Sequence, residues 1–411
     1  MKRFILSLRR LPVAPLCLTF LGATLWPEME LLVPSLPAMK LHFGVSEGQI
    51  QQLLSINFIG FICGVIFAGP LCDSWGRKKM CVAGSLVFLL ASVGAALSDN
   101  FALLMSMRFL QGLAVTAPII GGGGMLLEIT KGPGQIFWMS VSSAAITLRM
   151  AGAPLIGAWI NAHFGFRGNL WAIFISALVG IIPIIFLVEE TLAVKQRSIF
   201  NIKAIAKSYG ALLKNGRFMA LTTVMSGLPA AYWVYTGVSS LYLVDYLGLE
   251  PALFGSYQGP IVGTFALLSI VISQIHRRVG LKTCLITGFI LMLIGAGALL
   301  GLAISGIENA ILTTLFMMFF VGGMVPINSL LYPSALNALP PELLGSAQSL
   351  IQAMRLVIAS IGTGILGIVY QGPFLPVALI IAVMFFLCWL LLWSQRSNLN
   401  STTQGTFVAG H

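Results

Sequence analysis

This chain is poor in charge. Asp, Glu, Lys and Arg together supply 9% of its 411 residues, where an ordinary soluble domain carries roughly 25%. It has 4 His and 6 Cys. No CxxC pair and no His at metal-ligand spacing stands among them, so neither a structural metal site nor a redox dithiol is expected. No Gly-x-x-x-x-Gly-Lys-Ser/Thr loop occurs. Gly121 to Gly124 is followed by Met125 and lies inside an apolar run, so it suits close helix contact rather than a phosphate. No nucleophile pattern surrounds His42, His163, His276 or His411, which argues against a membrane-embedded enzyme. No cofactor is expected.

Apolar residues are abundant instead. They make up 58% of the chain, and the mean hydropathy is +0.96. These values exclude a soluble globular protein, a disordered chain and a disulfide scaffold. With 44 Gly and 19 Pro, the sequence bends often, as membrane helices tolerate. Reading apolar runs of about 20 residues predicts twelve spans, near 12–37, 48–70, 79–98, 101–126, 135–161, 169–188, 218–244, 254–274, 283–304, 308–333, 345–370 and 373–393. The basic start at Met1 to Arg10 resembles that of a signal peptide, but the following stretch is too long and carries acids, so a retained first helix is expected.

The net charge of +11 is a topology signal rather than a nucleic-acid site. With the N-terminus cytoplasmic, eighteen Lys and Arg fall on the inner side, and only Lys40 and Arg167 fall outside. The positive-inside rule then places both termini in the cytoplasm, with the basic face available to anionic membrane lipid. The longest polar stretch, 189–217, separates six spans (1–188) from six more (218–393), with a tail at 394–411. Within it Ile202, Ile205, Tyr209, Leu212 and Leu213 recur at helical spacing, predicting an amphipathic surface helix. The halves echo each other once. Ser140, Ser143 and Arg149 in span five match Ser346, Ser349 and Arg355 in span eleven at one constant offset. The fold expected is an all-α membrane protein of two six-helix bundles, a parallel repeat of the kind transporters carry.

The loop after span two reads Gly69-Pro70-Leu71-Cys72-Asp73-Ser74-Trp75-Gly76-Arg77-Lys78-Lys79. Span four contains Leu104-x-x-x-Arg108-x-x-Gln111-Gly112, and span one contains Glu30-Leu31-Leu32-Val33-Pro34-Ser35-Leu36-Pro37. The loop closely resembles the conserved loop of the major facilitator superfamily. Span four is similar to that family's Arg-containing motif. Span one, with the Tyr246-Leu247-Gly248-Leu249 and Phe254-Gly255 stretch after span seven, resembles the bicyclomycin/chloramphenicol-resistance subgroup of drug:proton antiporters, with Glu30 in place of Asp. The resemblance implies alternating access, a conformational latch at Gly69, Asp73, Gly76, Arg77 and Lys78, and a role for Arg108 in proton movement or polar packing. It also implies a bacterial inner-membrane protein acting as a monomer on a small-molecule substrate with protons. One departure is the antiporter glycine motif of span five, where Pro154 and Gly157 match but Arg149 replaces the leading glycine, which weakens the case for export.

Five charges remain inside spans: Glu28, Glu30, Arg108, Arg149 and Arg355. Each costs at least about 2.5–3.5 kcal/mol at the bilayer centre, so each should face a cavity or a partner. Glu28 and Glu30 lie roughly 200° apart on an ideal helix, and share a cavity only if Pro27 or Pro34 distorts it. Pro34 leaves the carbonyl of Glu30 without a helical partner, which favours Glu30 as the cavity carboxylate and sets Glu28 nearer a helix–helix contact. A carboxylate whose solvation and cation partners change between two conformations can take up a proton on one side and release it on the other. Arg149 and Arg355 admit two readings: they bind a carboxylate or phosphate of an anionic substrate, such as a siderophore, or they neutralise Glu28 and Glu30. Asn57, Tyr232, Trp233, Tyr235, Tyr257 and Asn328 are further candidates to line a cavity for a large organic molecule. Asp245, Glu128, Glu189 and Glu190 read as charges at the membrane interface.

Overall fold

The computed structural model describes residues 13–131, 133–194, 197, 201–336, 339–340 and 343–394. The terminal basic residues, the tail beyond Ser394 and the side chains of Ser140 and Ser143 lie outside them. The described residues are helical, with no strand among them. Among the described residues, eight helices are long and apolar enough to cross a membrane, and the bent pair Val13–Leu25 plus Glu28–Phe43 adds a ninth crossing. One of the eight, Phe137–Leu187, is 51 residues long, too long for one crossing at 1.5 Å per residue. It bends at Gly165, whose φ of 67° breaks the helical backbone. Spans five and six are therefore two helices that meet at the Gly165 kink. Gly216–Ser240 and Phe254–Val279, of 25 and 26 residues, carry more polar groups and complete the twelve.

The boundaries follow local chemistry. Span two, Glu47–Trp75, starts at Ser46, whose hydroxyl accepts from Gln49 N while Gln49 accepts from Ser46 N, a reciprocal cap. Span four, Phe101–Ile129, starts under Asn100. Span seven ends in a π-helical turn at Leu241–Tyr246. The linker helix is Ile202–Lys214. It packs on spans seven and eleven, and its Tyr209 hydrogen-bonds Ser349 of span eleven. Burial raises the Tyr209 hydroxyl above the ordinary tyrosine range, and that hydrogen bond pulls the other way.

Within each bundle, span two packs on four, three on four, nine on ten and eight on ten. Between the bundles three pairings dominate: two with eleven, five with eight, and the broken part of one with seven. Those pairings build the central site.

Candidate functional site

Span one is interrupted twice. It turns at Trp26–Pro27 with a bend of 41°, then passes through a tighter turn at Val33–Ser35, where Pro34 has no N–H for the α-helical ladder. The five-residue helix Glu28–Leu32 lies between the two breaks and carries both acids. The two acids line different spaces.

Glu28, 6% exposed, faces into the N-terminal bundle. Its Oε1 accepts from Asn57 Nδ2 at 3.3 Å, and its Oε2 lies 3.7 Å from Arg108 Nη1. Arg108 is fully buried. It donates to Gln111 Oε1 at 2.8 Å and to the Met29 sulfur at 2.9 Å, while Gln111 Nε2 donates to Ser92 Oγ at 2.9 Å. Asn57 also donates to the carbonyl of Arg108 at 3.1 Å. One polar network thus joins spans one to four. Arg108 is the ion-pair partner of Glu28, a role the sequence offered to Arg149 or Arg355. A buried charge pair of this kind is tolerable only when its members also hold hydrogen bonds.

Glu30, 4% exposed, faces the other bundle. Tyr232 of span seven donates to its Oε1 at 3.5 Å. Tyr232 in turn accepts from Gln258 Nε2 at 3.2 Å, and the same amide donates to Thr236 Oγ1 at 3.4 Å. Glu30 Oε2 has no hydrogen-bond partner, and no cation lies within ion-pair distance of Glu30 among the described residues. Gln258, like Tyr257, is a polar group that span eight offers from sequence, whereas Thr236 carries no sequence signal beyond being polar inside a span. The register of spans seven and eight creates their role.

Between the bundles lies a cavity of about 40 Å³, lined by Trp26, Phe58, Phe61, Ile119 and Trp233 with Glu28, Asn57, Gln352 and Arg355. A second, of about 30 Å³, adjoins it around Glu30, Leu54, Met150 and Thr236. Both share Trp26, Met29, Phe58 and Trp233, and the rings of Phe58 and Trp233 stack at 4.7 Å. Ligand sites usually measure roughly 300–1,000 Å³, so the central space is closed down in this conformation. Asn57, Trp233 and Arg355 line it. Tyr235, Tyr257 and Asn328 are not among the residues lining either cavity. Tyr235 is packed against Phe374, Tyr257 sits partly buried in the core, and Asn328 donates to Met324 O of its own helix at 3.4 Å. Arg149 lines a separate cleft between spans one, five and six.

The loop after span two is held by acids from the same half. Asp73 pairs with Arg77 at 3.5 Å, and Arg77 pairs with Glu128 of span four at 3.1 Å. Glu190, just past span six, accepts from the backbone N–H of Arg77 at 2.9 Å, of Lys78 at 3.3 Å and of Lys79 at 3.5 Å. It therefore caps the start of span three, a specific partner for a charge at a span end. Gly76 makes this cap possible: its φ is 109°, and a Cβ there would collide with the Glu190 carboxylate. A Cβ on Gly124 would strike the Arg77 guanidinium, so the glycine run of span four is a bed for that side chain. Lys78 Nζ donates to Ile185 O at 2.9 Å. Gly69 has open space around its Cα. Among the described residues, the side-chain bonds of this loop stay within its own half.

At the opposite end the bundles close on each other. Lys40 at the end of span one pairs with Asp245 at the end of span seven and, at 3.4 Å, with Glu47. Gly48 meets the backbone of Gly367, and Ser55 hydrogen-bonds Thr363 at 2.7 Å.

The sequence profile of the Major Facilitator Superfamily matches residues 17–363. A bicyclomycin resistance protein homolog of Haemophilus influenzae is 23% identical over 81% of this chain and 83% of its own. The multidrug resistance protein MdtL of Shigella flexneri serotype 5b is 23% identical over 80% of this chain and 84% of its own. A crystal structure of a D-xylose-proton symporter superposes with a TM-score of 0.73 at 15% identity, covering 92% of this chain and 97% of that one.

Proposed function

The chain belongs to the Major Facilitator Superfamily, and from that membership we propose that this multi-pass membrane transporter exports drug-like amphiphilic small molecules in exchange for protons. The two relatives named for drug resistance support the substrate class. The observation that carries the coupling is the placement of Glu30. It is buried between the bundles, bonded to Tyr232 of the opposite half, and has no cation within ion-pair distance among the described residues. A buried carboxyl in that setting is best accommodated as the neutral acid. Separation of span one from span seven would break the Tyr232 contact and admit water, so the proton could leave. Arg108 already holds Glu28, which leaves Glu30 as the exchangeable carboxyl.

In this reading the basic loop end faces the cytoplasm, as the positive-inside rule requires. The Lys40–Asp245 end then faces outward and is shut. The loop around Asp73, whose side-chain bonds among the described residues stay within its own half, is a latch that engages the C-terminal half when the outer end opens. The aromatic walls of the central cavity suit an amphiphilic guest once the bundles part. The protein acts as a monomer in a bacterial inner membrane, with anionic lipid along its basic face.

One observation favours a second reading. Arg355 lines the central cavity, and Arg can hold a carboxylate or phosphate bidentately, so an anionic metabolite is the alternative substrate. The test is purified protein in liposomes under an imposed pH gradient, with proton flux recorded on adding lipophilic cations or multivalent organic acids. Proton exit evoked by the cations and retained in Arg355→Ala establishes drug antiport. A response confined to organic acids and lost in Arg355→Ala makes the protein an anion transporter.

A further inference from the structure

Arg149 is the charge that the central site leaves unused. It lies near the middle of span five, and its Nη2 donates to Ser176 Oγ of span six at 2.9 Å. Ser176 is itself fixed, donating to Thr24 O of span one at 2.9 Å. A guanidinium has five donors. Among the described residues, Ser176 is the one hydrogen-bond partner of Arg149, and no carboxylate lies within ion-pair distance of it. Glu28 lines the same cleft but is held by Arg108. Among the described residues Arg149 is thus a cation at membrane depth with no carboxylate at ion-pair distance, a costly arrangement that normally marks a function.

The cleft around it has a volume of about 360 Å³, in the range of a small-molecule site and larger than the central cavity in this conformation. Its floor is polar, with Thr24, Glu28, Arg149 and Ser176, and its rim is apolar, with Phe20, Ile156, Ile175 and Val179. Those four rim residues are exposed on the outside of the bundle, where a membrane protein meets lipid. A cleft with a cation at its floor and an apolar, lipid-facing rim matches a molecule that has a single anionic head and an apolar chain.

We infer that this cleft is a second binding site, open to the bilayer, for a single-chain carboxylate amphiphile whose head pairs with Arg149 and whose chain lies along Phe20, Ile156 and Val179. Ser176 orients the guanidinium toward the head. Glu28 forms part of the wall of both this cleft and the central cavity, so occupancy here presses on the network that Glu28 shares with Arg108. The site is independent of what the central cavity transports.

The test uses the full-length protein in nanodiscs of zwitterionic lipid at alkaline pH, photolabelled with a diazirine analogue of a long-chain fatty acid and, separately, with the alcohol of the same length. Labelled peptides are mapped by mass spectrometry. The acid is expected to label the spans lining the cleft, and the unlabelled acid is expected to compete while the alcohol does not. Labelling should fall about tenfold in Arg149→Gln, the scale of one lost hydrogen bond to a charged group, and survive in Arg149→Lys. Val179→Trp, which fills the rim and leaves Arg149 in place, should give the same loss, so the result does not hang on one variant folding. Equal labelling by acid and alcohol, or labelling unchanged in both Arg149→Gln and Val179→Trp, would reduce the cleft to an ordinary lipid contact and overturn the inference.

Discussion

Glu28 and Glu30 are two residues apart on one short helix, yet they belong to different halves of the problem. Glu28 turns into its own bundle, where Asn57 and Arg108 hold it within a network that reaches Ser92. Glu30 turns across the bundle interface to a tyrosine and an amide that belong to the other half. The polar partners of Glu28 keep their places when the bundles move as rigid bodies, because Asn57 and Arg108 move with it, even though the cavity wall it shares with Trp233 and Arg355 parts. The Glu30 environment is dismantled by the same motion. The difference teaches that acidity inside a membrane does not by itself identify a coupling group; what matters is whether its partners sit on the same moving body or on the opposite one.

The largest expected effect lies on the Glu28 side. Arg108→Met leaves Glu28 buried without its cation, which should destabilise the N-terminal bundle by about 3–5 kcal/mol. Thermal unfolding and monodisperse yield in detergent read this. The double variant Glu28→Gln/Arg108→Met should recover part of the loss, because it removes the orphaned charge. If the double variant is as poor as the sum of the singles, the two residues are not a pair and the comparison fails.

A second break is placed away from both acids. Gly76→Ala forces a side chain into a backbone of positive φ and against the Glu190 carboxylate, which should cost about 1–3 kcal/mol. Glu190→Gln, which keeps an acceptor for the span-three amides but removes the charge, should cost less, about 0.3–1 kcal/mol. The same unfolding assay ranks them, and an equal loss from both would mean that the cap and not the turn sets stability here.

Much of this was legible before any coordinates. The span count follows from the length of apolar runs, and the loop around Asp73 and Gly76 announced itself by pattern. Pro27 and Pro34 pointed to a distorted first span, because a missing N–H is a local fact. What the sequence hid was long-range. Glu190 read as an interface charge because nothing near it in the chain reveals that three amides of span three lie beside it. Arg149 and Arg355 looked equivalent, since they hold corresponding positions in the repeat. Their surroundings differ because span five packs against spans one and six, while Arg355 faces the central cavity. Thr236, which shares the Gln258 amide with Tyr232, had no spacing to distinguish it from other polar residues in spans.

Smaller effects sharpen the interface side. Lys40→Glu should loosen the outer closure by removing its pair with Asp245, and Lys40→Glu/Asp245→Lys should restore it. A partly exposed ion pair contributes about 0.2–1 kcal/mol, so the transport rate should change less than about fivefold. Restoration by the swap, read in the liposome assay, separates a cross-bundle contact from a general loss of charge. Tyr232→Phe removes one neutral hydrogen bond to Glu30 and should shift the pH dependence of transport modestly without abolishing it, an effect on the scale of about 0.5–1.5 kcal/mol.

The central claim is that Glu30, and not Glu28, carries the proton. The direct measurement compares Glu30→Gln with wild type in two liposome assays on the same preparation: substrate movement driven by a pH gradient, and substrate exchange with no gradient. The account predicts that Glu30→Gln loses the gradient-driven movement and keeps the exchange, because the transport path survives and only its coupling is gone. Wild-type gradient-driven movement in a well-folded Glu30→Gln protein would contradict it.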